Sequence, residues 1–99
     1  MIMKVFSVYD SAVGAYMTPF FMQSSGAAIR AFTDITNDLQ SAICKHPSDY
    51  SLFELGSWDD ATCAFTFLTA PVSLGCAIEY KTPSAKPLES VSVGQPASA

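Results

Sequence analysis

The sequence predicts an α+β fold: a single antiparallel sheet of about five strands, in the order β-β-α-β-β-β, with one helix packed on one face and a disordered C-terminal tail. Three observations lead there. Only Ser24 to Asp38 carries a sustained helical period, with apolar residues near the i, i+3, i+7 spacing that builds one greasy stripe. The other apolar runs are short and rich in β-branched and aromatic residues, as strands are. Finally, 99 residues of 49% hydrophobic content supply one core and no second, so residues 1–81 read as one domain and 82–99 as a flexible tail.

The first strand is Met3 to Tyr9, MKVFSVY, with Val5 and Tyr9 on one face and Phe6 and Val8 on the other. Being apolar on both sides, it belongs at the centre of the sheet. The opening Met1-Ile2-Met3 offers two initiators, Met1 or Met3. Asp10, Ser11 and Gly14 then form a turn. Ala15 to Met22, AYMTPFFM, is a second strand, which Pro19 demotes to an edge or bulged position because proline lacks the ladder donor. Phe20 and Phe21 cannot share a face in an extended run. One of the two is therefore a candidate for exposure or for an oligomer contact, the alternative being that Phe21 staples the start of the next helix.

Ser24 or Ser25 caps the helix, Gly26 is tolerated in its first turn, and Asn37 and Asp38 end it. Ala28, Ile29, Phe32, Ile35 and Leu39 carry its apolar stripe, and Arg30 and Asp34 make an i, i+4 pair on the polar side. Leu39 to Asp49 reads as a loop, with Pro47 holding His46 out of the α region. Tyr50 to Leu55 alternates as a strand, and Gly56, Ser57, Asp59 and Asp60 make a turn around Trp58. Cys63 to Thr69 is the next strand, with Phe65 and Phe67 on one face. After the Ala70-Pro71 interruption, Leu74 to Lys81 alternates as the last strand, Leu74, Cys76, Ile78 and Tyr80 on one side. From Thr82 the chain is Pro, Ser and Ala-rich without a large apolar cluster. One helix covers one face of such a sheet; the aromatic residues on the other call for a partner, and a symmetric homodimer or higher homo-oligomer is the simplest one.

Charge narrows the function. The net charge is −4, which opposes the broad cationic surface that dominates non-specific nucleic-acid binding. Lys4, Arg30 and Lys45 face Asp10, Asp34, Asp38 and Asp49 in the first half, leaving most of the negative excess in the second. Cys44, Cys63 and Cys76 lack the spacing of a zinc cluster or a disulfide framework, so reduced, mostly buried thiols are expected. No stretch is long enough to span a membrane, and the N-terminal residues lack the pattern of a signal peptide.

Catalytic signatures are missing: there is no G-x-S-x-G, H-E-x-x-H or phosphate-loop motif. His46 is the one histidine, and Cys44 two residues away lacks an orienting carboxylate. Asp59-Asp60 fits a turn better than a carboxylate pair. The chain is expected to be no enzyme and to need no cofactor or metal. What remains is stacking faces with a few cations beside them. Tyr9, Tyr16, Phe20, Tyr50, Trp58 and Tyr80 are possible platforms, though core burial is the ordinary fate of any one ring. The cluster Arg30, Lys45, His46 and Tyr50, with Lys4 and Trp58, is the candidate nucleic-acid surface.

The succession MKVFSVYD, then PFFM leading to GAAIRAFTD, then KHPSDYSLFELGSWDD, then TAPVSLGCAIEYK resembles the small nonstructural protein of gokushovirus-type microviruses, single-stranded DNA phages of Chlamydia and gut bacteria. These pieces cover most of residues 3 to 81 in the same order. The resemblance implies a nonenzymatic viral protein in the host cytoplasm, associated with single-stranded DNA by binding it or by assisting single-strand synthesis and packaging. It transfers no binding residues. An adaptor for the viral replication initiator or for capsid assembly is the alternative, suited to an acidic, aromatic-rich surface.

Overall fold

In the computed structural model, which describes residues 1–82, the Val5 to Val8 run is buried, and strands flank it on both edges. This central strand, β1 (Ile2–Asp10), pairs antiparallel with β4 (Tyr50–Asp59) from Ile2 opposite Asp59 to Asp10 opposite Tyr50. Two short strands share its other edge, β2 (Ala15–Tyr16) beside Tyr9 and Asp10, and β3 (Phe20–Met22) beside Lys4 to Phe6. β5 (Ala64–Cys76) lies outside β4 and completes a five-stranded antiparallel sheet.

The five strands and the principal helix are as expected, but three strands precede the helix and two follow it. Each difference has a local cause. Ala15 to Met22 splits in two around Thr18-Pro19, where no ladder donor is available. Ala70-Pro71 breaks the ladder without ending the strand: on an edge strand proline fits a bulge, and here Gly56 pairs with Phe67 while Glu54 pairs with Val72, so residues 68–71 bulge opposite Leu55 within one strand. Gly56 to Asp59 continue β4 in place of the expected turn, because β1 and β5 supply ladders on both sides of them. The reversal comes one step later, at Asp60 to Cys63, where Asp59 Oδ1 accepts from the Ala61 amide at 2.9 Å and Cys63 takes φ 62°.

The expected strand over Leu74–Lys81 ends at Cys76 and becomes a 3-10 turn, Ala77–Glu79. Gly75 sits at φ +124°, and a Cβ there would meet the Tyr80 ring at 3.0 Å. The ring folds back through that space, its hydroxyl donating to Leu74 O and its edge set 5.9 Å from Phe32.

The helix α1 (Ser25–Thr36) is capped by Ser24, whose hydroxyl accepts from the Ala27 amide at 3.1 Å, and closed by Asn37. Ala28, Phe32 and Thr36 form its buried side, so the stripe read from the sequence is rotated: Ile35 is exposed. Ala28 and Phe32 pack with Phe6, Val8 and Leu52 of the sheet, Ile43 of the short helix α2 (Ala42–Lys45) and Ala77. The buried Thr36 hydroxyl donates to Phe32 O at 2.7 Å and so costs no unpaired polar group. α2 arises inside the expected loop because Ser41 caps it, accepting from the Cys44 amide at 3.0 Å. Cys44 is buried, Cys76 half-buried and Cys63 exposed, all free thiols. The expected tail, Thr82 apart, lies outside the described residues.

Candidate nucleic-acid interface

Strand alternation divides the side chains of β1 between two surfaces. Phe6 and Val8 point to α1 and the core. Val5, Ser7 and Tyr9 point the other way, and among the described residues no helix covers them. Cross-strand neighbours extend this second surface: Phe21 lies opposite Val5, Tyr16 opposite Tyr9, Phe53 opposite Ser7, and Trp58 opposite Met3, with Phe65 beyond Trp58 on β5.

The rings gather into two groups. Near β2, Tyr9 and Tyr16 meet edge to face at 4.9 Å, and Phe53 stands 5.6 Å from Tyr16. Toward the β4–β5 hairpin, Phe21 and Trp58 are 5.4 Å apart, Phe65 is 6.2 Å from Phe21, and Phe67 stacks on Phe65 at 5.5 Å with their planes 13° apart. Such pairs are worth about 0.5–1.5 kcal/mol each beyond area burial. They hold the rings in place without hiding them: Tyr16 is 48% exposed, Phe21 41%, Phe65 47% and Phe67 64%. Between the groups, Val5 and Ser7 are buried, and the Ser7 hydroxyl donates to Met17 O at 2.6 Å.

The residues singled out from the sequence do not share this surface. Trp58 is on it. Lys4 faces the helix, where its Nζ lies 3.6 Å from Glu54 Oε2 and 3.3 Å from Ser25 Oγ, and that hydroxyl donates to Glu54 Oε1 at 2.9 Å. Tyr50 also turns to the helix side and packs against the core. Burial, with the Asp10 and Asp49 carboxylates adding to it, raises its phenol above the ordinary tyrosine range. Arg30 is exposed on α1 and makes no ion pair with Asp34; Lys45 and His46 are exposed at the end of α2. Of the other platforms, Tyr9 and Tyr16 lie on the open face, whereas Phe20 stacks on Phe6 at 5.8 Å and Tyr80 meets Phe32 edge to face, both on the helix side.

Phe21, Phe53, Phe65 and Phe67 were not among the sequence candidates. Their parity relative to Trp58 is the available signal, and the turn propensity of the residues around Trp58 masks it. Of Phe20 and Phe21, it is Phe21 that is exposed, beside Trp58, rather than stapling the helix.

On the helix side, a cavity of about 310 Å³ opens between α1 and β3, lined by apolar side chains that include Met17, Phe20, Phe32 and Ile35. Cys44 and His46 do not meet there: the thiol is buried under α2 and the imidazole faces solvent. No three His, Cys, Asp or Glu among the described residues converge as a metal site. No described helix is long and apolar enough to cross a membrane.

The fold and this surface define a small α+β protein whose sheet is helix-covered on one face and aromatic and open on the other. Its family is that of the Phage ORF5 protein, whose model matches residues 3–80, and the chain belongs to it. No curated protein and no solved structure matches the chain.

Proposed function

We propose that this phage protein binds single-stranded DNA through the open aromatic face, and that it serves viral single-strand synthesis or packaging in the host cytoplasm without enzymatic chemistry of its own. The observation that carries the reading is the row of rings in which the half-buried Trp58 stands beside the exposed Phe21 and Phe65, with the exposed Phe67 stacked on Phe65. Unpaired bases present π-faces to such rings, and each stack is worth about 1–3 kcal/mol. Duplex DNA hides those faces, so the surface selects single strands.

The only lysine on a described strand, Lys4, faces the helix, so phosphates contribute little. Each phosphate contact adds about −0.7 to the salt slope on a single strand, and a shallow dependence follows. Fluorescence anisotropy of a labelled oligonucleotide at low and moderate salt tests this. Trp58→Ala with Phe67→Ser should weaken binding about tenfold or more, and Arg30→Ala with Lys45→Ala far less. No affinity at either salt, or affinity indifferent to the ring substitutions, would remove the reading.

The turning of Lys4 toward the helix, with the acidic balance of the chain, supports a second reading: an adaptor for the viral replication initiator or capsid proteins. Nuclease-insensitive co-purification with those proteins, together with no oligonucleotide affinity, would favour it.

A further inference from the structure

The two edges of the sheet are built differently. On one side β2 and β3 span two and three residues and are separated by Pro19, which blunts the edge. On the other, β5 runs for 13 residues and is the last strand in the sheet among the described residues. Its residues from Ala64 to Ser73 are all exposed. Edge strands are ordinarily guarded by charges, prolines, bulges or shortness, because a row of unpaired N–H and C=O groups invites another strand. The sequence of β5, AFTFLTAPVSLGC, contains no charged residue. Pro71 and the bulge opposite Leu55 guard its second half. Ala64 to Phe67 stay regular, each opposite a residue of β4, and carry the exposed Phe65 and Phe67.

We propose that Ala64–Phe67 is a dimerisation edge, pairing antiparallel with the same segment of a second copy about a two-fold axis so that two sheets become one. Self-pairing suits this segment in particular. Copies of a chain with net charge −4 repel, and this is an edge at which they meet with no like charges opposed. With Thr66 on the axis, Thr66 faces its own copy, and Phe65 falls opposite Phe67 of the second copy, on the face that carries Trp58. The aromatic row of each protomer then continues into the other. A foreign strand would satisfy the same backbone groups only by bringing uncharged, apolar side chains to both rings, whereas a second copy does so by symmetry. The pairing goes beyond the nucleic-acid reading and stands independently of it, since it rests on the strand edge and two rings.

Sedimentation equilibrium of the full chain without nucleic acid is the test. Twice the 10.6 kDa chain mass is expected as concentration rises. Thr66→Lys and Thr66→Glu each oppose like charges across the axis, and each should weaken dimerisation about tenfold or more, with circular dichroism unchanged because Thr66 is exposed. Mixing the two variants should restore the dimer through opposite charges. In the unsubstituted protein, amide exchange at residues 64–67 should slow as concentration rises. A monomer at all concentrations, a dimer that both variants retain, or protection of these amides only by a foreign peptide would overturn the proposal.

Discussion

The two faces of the sheet are made from the same kinds of residue and have opposite fates. On the covered face Phe6, Val8 and Leu52 are buried beneath Ala28 and Phe32; on the open face Phe65 and Phe67 stand in solvent. Composition does not distinguish them. What does is the side on which the helix packs: α1, α2 and Ala77 lie against the face of Phe6, Val8 and Leu52, while among the described residues no helix lies over the rings around Trp58. One helix on one face thus separates a stabilising surface from an available one.

Substitution at matched phenylalanines is the strongest way to break that contrast. Phe6→Ala should lower unfolding free energy by about 3–5 kcal/mol, whereas Phe67→Ala should lower it by only about 0.5–1.5 kcal/mol, the worth of its stack on Phe65; urea denaturation followed by circular dichroism measures both. Equal losses would mean that the open face is also packed. Gly56→Ala comes next. A Cβ there would lie 2.2 Å from Thr66 O, so the β4–β5 pairing must shift, at about 1–3 kcal/mol by the usual cost of overpacking, with a change in Trp58 emission as the hairpin moves. Ser24→Ala removes only the helix cap and should cost about 1 kcal/mol, leaving that emission unchanged.

The smallest effect belongs to Tyr50 on the covered side. Its folded pKa is raised above the ordinary 10.0, chiefly by burial. The neutral ring therefore contributes stability that is fully present below pH 10 and lost as pH rises through the raised value. Tyr50→Phe should flatten that part of the alkaline fall in stability, measured by urea midpoints from neutral pH upward.

The covered half of the molecule was the more legible in the sequence. A helix with Ser24 as its cap, a central strand over Met3–Tyr9 and a strand starting at Tyr50 are local patterns, and each is found nearly where expected. The open half depends on pairing. Gly56, Ser57 and Asp59 carry turn propensity, yet ladders to both β1 and β5 hold them extended, a tertiary override of local preference. Pro71 reads as a break until β5 is known to be an edge. Since Trp58 takes its facing from that unrecognised stretch of strand, the ring cluster was hidden too. Lys4 and Arg30 were grouped by charge, and strand or helix parity, which sets their facing, places both away from the rings.

Trp58 is the single tryptophan of the chain and touches the rings of the open face, so its fluorescence reports on that surface without any substitution. Titration of the unmodified protein with a short oligothymidine should quench Trp58 emission in a saturable way, at the same midpoint as the anisotropy of the labelled strand. Binding seen by anisotropy with no change in Trp58 emission, or no binding by either signal, would contradict the assignment of the aromatic face to single-stranded DNA.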